Sequence, residues 1–179
     1  MIEFFWEGRL QSLPEKPKIS AEQGVNRPID GESLLFLMQE VLSKGASFRF
    51  RAKGWSMTPF IRDGDVVTVA PSAKVRPSVG KVVAFVQPDT GRLVIHRVIG
   101  RQGSAFLIQG DNASGHPDGF VYVPAILGCV TQVVRRNRRV YLGLGVDGYI
   151  IAVLSRNGRI QNIISLLRAI KDFLHKTPG

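Results

Sequence analysis

The segment GWSMTPFIRDGD, Gly54 to Asp65, sets Ser56 in a connection between two β-rich runs, flanked by Trp55 and Met57 and followed by Pro59. A serine held in an irregular connection can present its Oγ outward and leave its backbone N–H to face a developing oxyanion. Its hydroxyl is a poor nucleophile at neutral pH, so this role demands a base within reach. Two residues qualify by type. His96, in RLVIHRVIG, shares a strand face with Val94 and Val98 if the pleat holds, and an apolar surround favours the neutral imidazole that a general base requires. Lys81, opening KVVAFVQ beside Gly80, would first have to lose its charge, and its place at a strand edge suits a solvated amine. The loop GDNASGHPDG, Gly110 to Gly119, adds Asp111 and Asp118, either of which could orient an imidazole and stabilise it once protonated. Each residue also has a purely structural reading: Ser56 as a turn residue, His96 as a satisfied core histidine, and the aspartates as turn formers.

The elements that must position these groups follow from periodicity. Asp30 offers an N-cap to a helix whose Leu34, Leu35, Met38, Val41 and Leu42 form one stripe, and Gly45 supplies a left-handed stop. From Ser47 to Leu144 the pattern changes to short β-rich runs: SFRFRA, DVVTVA, KVVAFVQ, RLVIHRVIG, AFLIQG, FVYV, LGCVTQVV and RVYLGL. Turn residues separate them, and RRNRR, Arg135 to Arg139, reads as the crown of a hairpin because Asn tolerates a positive φ. Gly158 to Lys176 returns to helical spacing, with Ile160, Ile163, Ile164, Leu167, Ile170 and Leu174 on one face and basic residues elsewhere. The expected organisation is an extended or mobile arm over 1–29, a domain of one helix and a β core over 30–146, and a basic amphipathic segment over 147–179.

Composition bounds what such a chain can be. Its 179 residues suit a single domain, and 44% apolar with 21% charged residues excludes disorder and a multi-span membrane protein. Lys and Arg number 24 against 14 Asp and Glu, so the surface should attract an anionic partner such as nucleic acid, an acidic membrane or an acidic peptide. One cysteine, Cys129, rules out an intrachain disulfide and a multi-cysteine zinc site, and three histidines leave little for a metal centre. No metal or cofactor is expected. The N-terminal residues lack a secretory pattern, and the most apolar window, Val140 to Leu154, falls short of the roughly 20 residues a spanning helix needs. Together these lead to the expectation of a cytoplasmic protein, with peripheral contact at the inner face of the membrane through its basic tail.

The succession SMTPFIRDGDVVTV, GKVVAFV, LVIHRVIG, FLIQGDN and ILGCV, Phe48 to Val130, resembles the boxes of signal peptidase I and its relatives, a superfamily that includes the LexA-like repressor proteases. The resemblance implies a mainly β fold of twisted, mostly antiparallel, coiled or partly barrel-like sheets. It places the nucleophile on Ser56 and the base on His96, where histidine rather than lysine marks the Ser-His branch of endoplasmic-reticulum and SipW-like members. By the same resemblance Asp118 is the favoured carboxylate partner, Asp111 shapes the loop with Gly110 and Asn112, and Gly54, Met57 and Pro59 frame the serine. Gly54 stands where many signal peptidases carry a serine that helps bind the oxyanion, so here the hole would rest on backbone N–H groups. The function implied is a serine endopeptidase that cleaves a peptide or protein precursor bound as an added β-strand. Two alternatives compete: a non-catalytic module of the same fold docking on a membrane or a protein through its arginines, and a self-cleaving regulator. The regulator is disfavoured because the first 46 residues offer too little helix for a helix-turn-helix, and no Ala-Gly or Cys-Gly dipeptide occurs. Nucleic acid is accordingly the least favoured partner.

Overall fold

A computed structural model of the chain describes residues 30–113 and 117–157, with residues 162 and 165. The first element, α1 (Gly31–Ser43), begins where the Asp30 carboxylate accepts the Ser33 N–H at 2.8 Å. It ends where Gly45, at φ 75°, turns its N–H to the Leu42 carbonyl. Met38 and Leu42 are its buried contacts with the sheet.

Eight strands follow: β1 (Phe48–Arg51), β2 (Val66–Pro71), β3 (Val82–Val86), β4 (Leu93–Gln102), β5 (Ala105–Gln109), β6 (Gly119–Tyr122), β7 (Ile126–Arg135) and β8 (Arg138–Val140). They pair antiparallel in the order β1-β2-β7-β3-β4-β5-β6, with β8 added to β7. The sheet coils without closing into a full barrel. The burial of β3 explains the coil. Val82 and Ala84 join one core with Met38, Leu42, Val67 and Val69, while Val83 and Phe85 join a second with Val98, Phe106 and Ile108. A central strand apolar on both faces needs cover on both, and the curled sheet together with α1 supplies it.

Arg136 and Asn137, at φ 47° and 64°, form the two-residue loop between β7 and β8, the paired positive values matching the right-handed twist of the strands. The expected run RVYLGL departs from β structure after Val140. There Gly143, at φ 88°, and the Asp147 carboxylate, which accepts the N–H groups of Gly143 and Gly145, fold the chain into a tight turn. A second helix, α2 (Asp147–Arg156), then packs Gly148, Ile151, Ala152 and Ser155 inward. Glycine is required at the contact: a Cβ on Gly148 would lie 2.7 Å from the Gly80 carbonyl oxygen, and one on Gly80 2.7 Å from the Tyr149 nitrogen. Among the described residues no helix is long and apolar enough to cross a membrane. The arm over 1–29 lies outside the described residues, as does the helical pattern of Gly158 to Lys176 apart from residues 162 and 165.

Candidate active site

Ser56 lies in the loop that joins β1 to β2. The hairpin continues past the strands, with the Ala52 N–H donating to the Asp65 carbonyl and the Gly64 N–H to the Ala52 carbonyl, which closes the loop at its neck. Inside it, Gly54 takes φ 97° and donates its N–H to Asp63 Oδ1 at 2.9 Å. Met57, 5% exposed, is driven into the first core and anchors the turn, from which the Phe60 and Ile61 N–H groups return to its carbonyl. The bond between Thr58 and Pro59 is cis. Below this turn Asp65 is buried, and Arg135 grips it with Nε at 2.9 Å and Nη2 at 2.7 Å while Nη2 also donates to the Phe60 carbonyl. Ser56 and Trp55 are left exposed at the surface. Among the described residues the Ser56 N–H has no protein acceptor.

His96 sits in the middle of β4, paired with Val83 of β3, on the face of the second core, with its ring 6.3 Å from that of Phe85. Its Nδ1 lies 2.5 Å from Asp118 Oδ2, and both side chains are largely sheltered. A carboxylate can only accept, so Nδ1 carries a proton, and Nε2 lies on the opposite side of the ring. That side borders Gly110. A Cβ there would stand 3.1 Å from His96 Nε2 and 2.9 Å from the Ser56 carbonyl oxygen, so both line the same small space. Asn112 fixes the approach, its N–H donating to the Ser56 carbonyl at 2.7 Å. Asp118 is placed by its own N–H, which donates to the Ile108 carbonyl and brings the loop back to β5.

Asp111 has a different partner. Its carboxylate receives Arg97 Nε and Nη2, each at 2.7 Å, and both side chains are wholly buried. Arg97 Nη1 donates to the carbonyls of Gly80 and Gly143, and the guanidinium lies 5.5 Å from the Phe60 ring centroid. One cation therefore joins the turn before β3, the turn before α2, the GDN loop and the serine loop. Burial pushes the Asp111 carboxyl above the usual carboxylate range, while hydrogen bonds and charge from Arg97 pull it back.

The structure thus brings the Ser56 backbone carbonyl, His96, Gly110, Asn112 and Asp118 to one place. Gly54, Met57 and Pro59 belong to the frame of the loop. Lys81 is exposed at the start of β3. Sequence reasoning missed Arg97 and the pair Arg135–Asp65. The signal for Arg97 was a charged residue inside an otherwise apolar strand. Arg135 was grouped with the exposed arginines of the hairpin, but it is a tether for the serine loop. Among the described residues no group of three or more His, Cys, Asp or Glu side chains is placed to hold a metal ion.

A family model described as Peptidase S24-like matches residues 18–131, which include every residue of this site. No curated protein matches the chain.

Proposed function

The chain belongs to the Peptidase S24-like family, within the superfamily of LexA-type and signal-peptidase-type serine peptidases, and from that premise we propose that it is a serine endopeptidase working through Ser56, His96 and Asp118. The observation that carries the reading is the His96 Nδ1–Asp118 Oδ2 contact of 2.5 Å, which leaves Nε2 free beside the Ser56 loop. In the proposed reaction Nε2 takes the Ser56 proton as Oγ attacks the scissile carbonyl. The imidazolium so formed is stabilised by Asp118 and returns the proton to the leaving amine. Water then hydrolyses the acyl-enzyme by the reverse roles. The unengaged Ser56 N–H supplies a backbone donor for the oxyanion, while the Gly54 N–H is committed to Asp63.

The substrate we propose is an extended segment of a peptide or protein precursor. Its strand would add to β1, which lies at the end of the sheet order and runs into the serine loop. Replacing Ser56 by Ala tests the reading. The exposed hydroxyl makes no hydrogen bond among the described residues, so the variant should keep its thermal midpoint and lose all cleavage of a peptide library. Cleavage by Ser56→Ala at the parent rate overturns the assignment.

A further inference from the structure

The second helix is apolar on two sides. Its inward stripe, Gly148, Ile151, Ala152 and Ser155, is buried against the sheet. A second stripe, Val146, Tyr149, Ile150 and Val153, has the same i, i+3, i+4, i+7 spacing and is exposed, Val146 to 91%. A half-buried helix ordinarily sets polar residues on its outer face, so this face is built to meet something apolar. It continues into the preceding turn, where Tyr141 is 74% exposed and Leu142 is also exposed. A cavity of ≈ 600 Å³ joins Tyr141, Leu142 and Val146 to Arg139 of the basic hairpin.

Charge selects the occupant. Arg136, Arg138 and Arg139 at the hairpin and Arg156 at the end of α2 are all exposed, and no carboxylate pairs with them among the described residues. The nearby acid, Asp147, is turned inward onto the Gly143 and Gly145 N–H groups. Arginines bordering a stripe of Tyr, Val, Ile and Leu match the boundary between anionic headgroups and acyl chains. An acidic protein would use the arginines and leave the aliphatic stripe unmet, and a nucleic acid would find only the two tyrosines to stack on.

We propose that this face, Tyr141–Leu142 with the outer stripe of α2 and the arginines of the β7–β8 hairpin, docks the protein on an anionic lipid bilayer. The docking is independent of the peptidase chemistry, and Ser56→Ala binds vesicles like the parent. The experiment is co-sedimentation of the full chain with phosphatidylcholine vesicles, with and without phosphatidylglycerol, across a salt series. Two variants accompany it, each checked for parental circular dichroism: Arg136→Ser/Arg138→Ser/Arg139→Ser and Val146→Ser/Ile150→Ser/Val153→Ser. Binding should require the anionic lipid and weaken with salt. The arginine variant should bind about 100-fold more weakly at low salt, and the apolar variant on the order of tenfold more weakly at any salt. Absence of binding at low salt, equal binding to neutral vesicles, or binding unchanged in both variants overturns the proposal. So does a lipid-free homodimer that the apolar variant dissociates, since the face would then belong to a second copy.

Discussion

Replacing Arg97 by Met removes the cation at the centre of the site while keeping a side chain of similar length. Four hydrogen bonds disappear, two to the Asp111 carboxylate and two to the carbonyls of Gly80 and Gly143. The dominant cost is the loss of the guanidinium from a carboxylate at 0% side-chain exposure. Breaking a buried pair from one side costs about 3–5 kcal/mol, a large part of the roughly 5–15 kcal/mol that holds a domain folded. For a chain of this length the thermal midpoint should fall by about 6–20 °C. Urea unfolding followed by circular dichroism measures the free-energy loss directly, and a thermal scan the midpoint. The double variant Arg97→Met/Asp111→Leu should recover much of the loss, because the buried carboxylate is removed together with the cation. The penalty should also depend on pH. Burial raises the folded carboxyl above its unfolded value, so this group favours folding below its ordinary pKa, and that contribution is lost as pH rises through the raised folded one. Without Arg97 the opposing pull is gone and the folded value climbs further, so the destabilisation should be greatest at neutral pH and shrink toward acid. A loss under about 1 kcal/mol, or a double variant as unstable as the single, would refute the argument that the pair is held by mutual charge in a dry site.

Three further outcomes are expected. Gly110→Ala wedges a methyl group between the Ser56 carbonyl and His96 Nε2, and a displacement of this kind should lower kcat/KM by about 100-fold in a peptide-cleavage assay. Asp118→Asn should reduce kcat by about 10⁴-fold, the loss expected when the imidazole is held in the wrong tautomer, with the fold intact by circular dichroism. Cys129 is fully buried, its thiol is pushed up to about 11 by burial, and Sγ donates to the Val75 carbonyl. It should therefore resist a disulfide reagent at mild alkaline pH in the native protein and react at once in denaturant, followed by the absorbance of the released thiolate.

Much of the fold was legible because its signals are local. The Asp30 cap, the Leu and Met stripe of α1 and the turn residues between apolar runs each name an element, and Asn137 at positive φ delivers the hairpin that RRNRR suggested. The end of β8 was not legible, since RVYLGL is a β-rich run throughout and the Asp147 carboxylate, reaching back to Gly143, bends the chain away. The candidate site divides the same way. Ser56 and His96 stand out by type and order along the chain. Spacing could not distinguish Asp111 from Asp118, because both lie in one turn-rich loop; the distinction needs the two faces of β4, on which His96 meets Asp118 and its neighbour Arg97 meets Asp111. Arg135 looked like surface charge because its partner, Asp65, is 70 residues away in sequence.

The central claim is that Ser56 forms the covalent bond. Its most direct test is mass spectrometry of the protein quenched in acid during turnover of a peptide pool, followed by digestion and fragmentation. An acyl adduct is expected on the peptide containing Ser56, its mass increment that of the acyl group from the N-terminal portion of a cleaved peptide, and no adduct in Ser56→Ala. Cleavage without an adduct in the parent and equal cleavage in Ser56→Ala, or an adduct on another residue, would contradict the claim.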